Sequence, residues 1–592
     1  MTDNVSASAD EALARDLGLS LRSHGMVPAE GVSFRLAIAA GIAPLDEARS
    51  GFRIAISASD AALRVSSNHD LKHRDDVVVM PVAAFRTMLR DHAGATIADM
   101  ASHDLEQQRP GQSAMTGMSN GQRIFGAIMV AALLACLLVH PQAALVILAI
   151  LTIPIFAALL ILRIGAVIDG WSPASVPALP MADAKLPIYT VLVPLYREAA
   201  VLDQLLAALL RIDYPPNRLD IKILVEQDDD ATRKALAARA LPRHVDVVVA
   251  PRGTPQTKPR ALNIGLMEAR GELLAIFDAE DRPDPRQLRL AANLFARHAP
   301  EVACLQGRLA IDNADDTLLT RMFALEYAAL FDVINTGLIR AGAPVLLGGT
   351  SNHFRVSVLR QIGGWDAWNV TEDADLSFRL LRCGYRIADL PSATLEEAPI
   401  TIRPWFNQRI RWMKGFLQTV VTHTRQPREL IGQLGWKNAL VLLSLCGGTL
   451  LSALSYPLFI IATVTVLTMN GLPHAGNPAH AVMVGVWITM FAGGLVALLA
   501  PVILGAMHRG LTDLLWFSPL LPLYCLLVSG AAFAALVEYV RAPSRWNKTD
   551  HGLARTSRQS LAFAQDRRSG ERTPKDRAGP ADMTTDQVSG AN

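Results

Sequence analysis

The stretch Glu272-Leu273-Leu274-Ala275-Ile276-Phe277-Asp278-Ala279-Glu280-Asp281 decides the fold. Its first half is an apolar run of strand type, and it breaks into three carboxylates within four positions. A buried strand that ends in an acidic turn is how an open α/β sheet offers ligands, beyond the carboxyl ends of its strands. Upstream, Ile188 to Pro194, Ile221 to Val225 and Val245 to Val249 repeat the strand pattern, and Val201 to Leu210 is an apolar-faced helix. Strands alternating with helices predict an α/β unit with a mostly parallel sheet over residues 186–430. Glu226 and Asp228 follow one of these strands, as Asp278 follows another.

Two more clusters lie downstream. Thr371-Glu372-Asp373-Ala374-Asp375 opens a helix, with Thr371 as a candidate cap and carboxylates in the first turn. Gln408-Arg409-Ile410-Arg411-Trp412 lies on an amphipathic segment with Trp405, Phe406, Met413 and Phe416. Each cluster has a bland reading: a solvated loop, a capped helix, an interfacial helix with snorkelling arginines. Each also has a chemical one. Asp278 with Glu280 or Asp281 supplies hard oxygen ligands for Mg²⁺ or Mn²⁺. Asp373 supplies a general base for an attacking hydroxyl. Arg411 supplies a planar donor fork for a diphosphate, and Trp412 a face for a sugar.

Three clusters in this order are far more specific than any one of them. Residues 186–425 resemble the processive family 2 glycosyltransferases, the group of the cellulose, chitin and hyaluronan synthases. The resemblance implies a GT-A fold, a nucleotide-sugar donor, and inversion at the anomeric carbon. By that likeness Asp278 and Glu280 stand at the DxD metal motif, Asp373 at the TED base, and Gln408, Arg411 and Trp412 at QxxRW. Pro194 and Glu198 fall in the nucleotide-side loop, with Glu226 and Asp228 as the early acidic pair. Lys258 and Asn263 fall in the diphosphate-side segment, and Gly349 and Thr350 in the loop beneath the acceptor. The chain departs from the pattern in reading Glu226-Gln227-Asp228 and Asp278-Ala279-Glu280, which leaves Glu280 and Asp281 as alternatives. Trp546-Asn547-Lys548-Thr549 with His551-Gly552 is similar to a tail signature of related membrane enzymes.

The flanks are apolar. Of 592 residues, 51% are hydrophobic and 19% charged, with a mean hydropathy of +0.26, which suits a soluble domain joined to membrane spans. Ile124 to Val139 and Ala143 to Leu162 carry no charge and predict a hairpin over residues 123–165, with His140-Pro141-Gln142 as its turn and Arg123 and Arg163 flanking it. The blocks Ala439 to Met469, Ala481 to Met507 and Leu514 to Val540 predict a second membrane region over 437–540. Three spans would put the basic tail 541–592 on the far side, whereas its charge favours the cytoplasm, so one block is expected to be interfacial, re-entrant or broken at Pro457, Pro519 or Pro522. The expected setting is a bacterial inner membrane with the catalytic unit in the cytoplasm and the tail beyond Arg558 disordered.

A net charge of +2 implies no pull toward nucleic acid, and five scattered cysteines imply neither a disulfide framework nor a zinc site. Residues 1–103 predict a small α/β domain, with Phe52 to Ser57 and Val77 to Met80 as strands and Pro81 in the first turn of a helix at Val82 to Leu89. It faintly resembles the N-terminal domain of type II secretion ATPases, some of which bind cyclic di-GMP, and implies a docking partner in an envelope or export system. Residues 104–122 read as a linker. The function expected is transfer of a sugar from a nucleotide sugar to a growing glycan or lipid-linked acceptor. The alternative is a retired transferase fold serving as a membrane scaffold for export or adsorption. A transporter would need charged residues along its spans, which are almost absent.

Overall fold

The computed structural model describes residues 2–58, 74–172, 181–465 and 478–545. The Trp546–Gly552 signature and the tail lie outside them. The N-terminal part is α1 (Thr2–Leu17), β1 (Ser20–Leu21), α2 (Phe34–Ala40), β2 (Ile42–Pro44), α3 (Glu47–Ser50), β3 (Ile54–Ser57) and β4 (Val77–Met80). Its sheet runs β1-β4-β3-β2, with β1 and β3 parallel to the buried central strand β4. The next helix, α4 (Val82–Gln108), is much longer than expected, and Pro81 stands before it as the cap residue. It keeps going because its later residues Ile97, Ala98, Ala101 and Leu105 are buried against the next domain. The expected linker is therefore folded. Its turns Pro110–Gln112 and Ala114–Thr116 are held by Asp366, which accepts from Ala114 N, and by Arg425, which donates to Ser113 O and Gly117 O.

An apolar hairpin follows, α5 (Asn120–Val139) and α6 (Pro141–Asp169), joined at His140. The central domain then runs β5 (Tyr189–Leu195), α7 (Leu202–Leu209), β6 (Leu219–Glu226), α8 (Asp230–Ala237), β7 (Val245–Ala250), α9 (Lys258–Glu268), β8 (Leu273–Ile276), β9 (Arg282–Pro283), α10 (Gln287–Arg297) and β10 (Val302–Ile311). After it come α11 (Leu318–Arg340), β11 (Asn352–Arg355), α12 (Val356–Gln361), α13 (Glu372–Arg382), β12 (Arg386–Glu396) and α14 (Ile402–His423). The sheet order is β7-β6-β5-β8-β11-β10-β12-β9. The sheet is mixed rather than mostly parallel. The run β7-β6-β5-β8 is parallel, but β11 lies antiparallel to both β8 and β10. That reversal pairs Asn352 with Ile276, so the Gly348–Ser351 loop lands over the acidic turn that follows β8.

The last helices are α15 (Pro427–Leu443), a π turn at Ser444–Gly448, α16 (Thr449–Thr465), α17 (Pro478–Arg509) and α18 (Leu521–Arg541). Six helical segments among the described residues are long and apolar enough to cross a membrane. One of them, Leu318–Arg340, is 83% buried inside the protein, so composition overstates it as a span. In the third C-terminal block Pro519 lies in a 3-10 segment and Pro522 in the first turn of α18. From there α18 runs along α14. Tyr524 meets Trp405 and Arg409, Ala531 packs near Ile410, and Lys414 pairs with Glu538.

Candidate functional site

At the end of β8 the turn is locked by Asp281. Its Oδ2 accepts from Asp278 N at 2.7 Å and from the Thr350 hydroxyl, which itself reaches Ile276 O. Asp281 is buried, its Oδ1 meets no donor, and it does not line the cavity that Asp278 and Glu280 face. Burial raises its carboxyl well above the usual range, with Asp278 and Glu280 adding to the rise. Thr350, expected beneath the acceptor, thus also fastens this turn.

Lys258, the first residue of α9, draws the clusters together. Its Nζ stands 2.5 Å from Asp278 Oδ1 and 4.0 Å from Glu372 Oε1, and donates to Gly349 O at 2.7 Å. Its ammonium is buried, yet Asp278 and Glu372 hold it charged. Asp373 is the second residue of α13 and its Oδ1 accepts from Ala374 N at 2.8 Å. A methyl group on Gly349 would stand 3.6 Å from Asp373 Oδ2, so the loop passes close by the carboxylate. Burial pushes Glu372 up to about 7, and raises Asp373 too, while Lys258 and Arg411 oppose both shifts. Thr371 makes no side-chain cap. Its hydroxyl turns to Asn369 Oδ1 instead, because α14 crosses it at Gly415.

Arg411, Trp412 and Gln408 come to the same cavity from α14. Gln408 is buried with its Oε1 unpartnered. Trp412 is held by a residue that sequence reasoning passed over. Arg409 lies 4.4 Å from the centre of its ring and makes a two-pronged pair with Glu326 at 2.7 and 2.6 Å. Both arginines line the cavity, but Arg409 is buried in its pair with Glu326 and stacks on the tryptophan, whereas Arg411 is only half-buried.

On the side expected to take the nucleotide, Pro194, Tyr196, Glu198 and Glu226 line the cavity. Arg197 takes a positive φ of 56° and its N–H is caught by Asp229, which also caps α8 at Thr232 N. Asp229 shapes this loop, although Asp228 was the residue singled out. Asp228 is exposed, accepts from Gln256 Nε2 at 2.8 Å, and is not in the cavity wall. Glu226 pairs with the fully buried Arg260, yet burial pushes its carboxyl up to about 7. Asn263 does not reach the cavity. Its amide donates to Ala101 O and Trp365 O and accepts from Trp365 N, so every contact of its amide is structural and α9 is tied to α4.

No three His, Cys, Asp or Glu side chains gather as a metal group among the described residues. Two carboxylates facing a cavity still fit an ion that takes its remaining ligands from phosphate oxygens and water. Asp278 and Glu280 line the cavity and would be that pair, while Asp281 is held in the turn.

Residues 187–415 match the family described as "Glycosyltransferase like family 2". Among curated proteins, the chain is 29% identical to the probable glycosyltransferase YdaM of Bacillus subtilis, over 39% of this chain and 56% of that one. It is 28% identical to glucomannan 4-beta-mannosyltransferase 7 of Arabidopsis thaliana, over 39% and 43%. It is 31% identical to the beta-monoglucosyldiacylglycerol synthase of Trichormus variabilis, over 39% and 50%. The chain spans about half the length of these relatives. Among solved structures, a mannosyltransferase from Pyrobaculum calidifontis in complex with GDP-Man and Mn²⁺ aligns at a TM-score of 0.37, with 19% identity, over 59% of this chain and 99% of that one.

Proposed function

We propose that this chain is a membrane-embedded, inverting glycosyltransferase that moves a sugar from a nucleotide sugar to a glycan or lipid-linked acceptor. One observation carries the reading. Asp278, Lys258, Asp373, Arg411 and Trp412 arise from four separate elements and face one cavity. Nothing in packing alone requires that a lysine, an acidic turn, a helix-start carboxylate and an Arg-Trp pair converge.

Asp373 takes the proton from the acceptor hydroxyl as its oxygen attacks the anomeric carbon. Lys258 and Arg411 face the diphosphate as it departs and take up its charge. Trp412, stacked on Arg409, offers the flat face on which the accepting sugar or headgroup rests. Glu226, Tyr196 and Glu198 form the nucleoside side. When bound between Asp278 and Glu280, a divalent cation supplies further charge neutralisation for the leaving group. The apolar helices on either side of the catalytic unit, and α18 lying along α14, support a site set at the membrane surface. The expected setting is the bacterial inner membrane, with glycan or envelope synthesis as the use.

The test is donor turnover by the full chain in lipid bilayers. A panel of UDP-sugars and GDP-mannose is offered with Mg²⁺ or Mn²⁺, and nucleoside diphosphate release is followed. Release with one donor, absent in Asp373→Asn, supports the reading. A folded protein that neither turns over nor binds any donor in a metal-dependent way overturns it in favour of a scaffold.

A further inference from the structure

The cavity does not stop at the catalytic residues. It holds about 1360 Å³ and continues between the apolar helices, where side chains such as Phe156, Leu160, Phe459 and Leu498 outnumber polar ones such as Ser452 and Thr463 in its walls. A sugar chain threaded there would need hydrogen-bond partners along its length, whereas aliphatic and aromatic walls suit hydrocarbon. Arg163 is the charge in this part that has no committed partner. Arg163 was expected at the edge of a span, but α6 continues six residues beyond it to Asp169, about 9 Å along the axis. Its side chain lines the cavity and makes no hydrogen bond or ion pair with any described residue. The groups that act on it electrostatically are Cys525 and Glu326. Glu326 is already committed: both oxygens are taken by Arg409, and Tyr524 adds a bond at 2.8 Å. Two guanidinium groups therefore share one carboxylate, which leaves a net positive charge in an apolar wall. An arginine without a full partner at membrane depth is costly and marks a ligand. A guanidinium suits the oxygens of a phosphate.

We propose that the acceptor is an anionic phospholipid with a hydroxylated headgroup, its acyl chains in the lower cavity and its phosphate on Arg163. This deepens the transferase reading above and rests on it. The hydroxyl follows from Asp373, because a base is needed only where the acceptor atom carries a proton. The headgroup oxygen bonds the anomeric carbon and its proton passes to Asp373. The bond from the anomeric carbon to the diphosphate breaks, and the nucleoside diphosphate leaves with the electron pair.

The experiment is lipid retention by the full, delipidated chain in detergent, read by native mass spectrometry with phosphatidylglycerol, phosphatidylcholine or diacylglycerol. Metal-dependent donor binding is measured on the same samples. Wild type is expected to retain phosphatidylglycerol best, Arg163→Gln to lose about tenfold of that retention, and Arg163→Lys to keep part of it. Donor binding is expected to stay at the wild-type level in both variants. Gly494→Leu gives an independent check. Gly494 lines the cavity and a Cβ there meets no protein atom within 4 Å, so the larger side chain fills the space and should lower retention of every lipid. Equal retention of phosphatidylglycerol by wild type and Arg163→Gln overturns the proposal. So does diacylglycerol retained as well as phosphatidylglycerol, or loss of donor binding together with lipid in Arg163→Gln. Lipid retention as expected in a protein that binds no donor would sink the transferase reading and leave the lipid site standing.

Discussion

Asp373 and Glu372 are adjacent carboxyls at the start of one helix, and burial raises both. The base must be ionised to work, so turnover should fall as the pH drops through the raised range. The acid limb is expected above the ordinary carboxylate range, and a kcat–pH profile checks it. Glu372→Gln removes the neighbouring charge, so the limb should move to lower pH. Asp373→Asn should cost about 10²–10⁴-fold in turnover, with donor binding near normal. Nucleoside diphosphate release set beside donor titration separates the two effects. Retained turnover would remove Asp373 from the base role. Asp281 and Asn263 teach the opposite lesson at this scale. Both have the right chemistry in the right motif, and neither faces the cavity, because a backbone N–H and a hydroxyl claim one and the 101 and 365 backbone claims the other.

Among the elements, α14 matters most. It crosses the start of α13 at Gly415, where an added Cβ would stand 2.2 Å from Thr371 Oγ1. Gly415→Ala should therefore push α14 away from Asp373. The expected cost is about 1–3 kcal/mol in an unfolding titration, with a larger relative loss in turnover. Unchanged turnover would show that α14 need not hold this distance. The second element is α4. Arg90 stands 3.3 Å and Arg86 4.0 Å from the fully buried Glu268 at the far end of α9. Burial raises the Glu268 carboxyl while the two arginines oppose the rise. Replacing both by methionine leaves Lys222 as the one cation still acting on the buried acid, and should destabilise the fold by about 3–5 kcal/mol. Hydrogen exchange along α4 and α9 would show the loss. The N-terminal domain is thus fastened to the helix that carries Lys258, whatever else it binds.

For the whole molecule, the anchoring of the apolar helices sets the topology. Gln122 at the start of α5 donates to Val421 O, and Asp169 O at the end of α6 accepts from Arg340. Arg509 at the end of α17 pairs with Asp332, and Lys414 on α14 donates to Ala542 O and Arg545 O just past α18. These ends all return to the central α/β domain, and α18 lies along α14. The topology we propose from this is of hairpins that cross and come back, with α18 at the interface. Cysteines introduced as Trp171→Cys and Arg545→Cys should react with a membrane-impermeant thiol reagent from the same side, above the signal of the native chain. Labelling from opposite sides would restore α18 as a full crossing.

Periodicity and polarity alone made the parallel half of the sheet, the two apolar regions and the three candidate polar clusters legible, because strand alternation, uncharged runs and strand-end carboxylates are local signals. The direction of β11 was not legible. It is a four-residue strand reading Asn-His-Phe-Arg, and only its partners β8 and β10 fix its sense. The reach of α4 to Gln108 was hidden for a related reason: polar residues there, such as Ser102, are buried by another domain rather than by the helix's own pattern. The different settings of Arg409 and Arg411, of Asp228 and Asp229, and of Glu280 and Asp281 were decided by tertiary structure alone. In each pair the chemistry is alike or nearly so, and what separates the two residues is which way the backbone turns them.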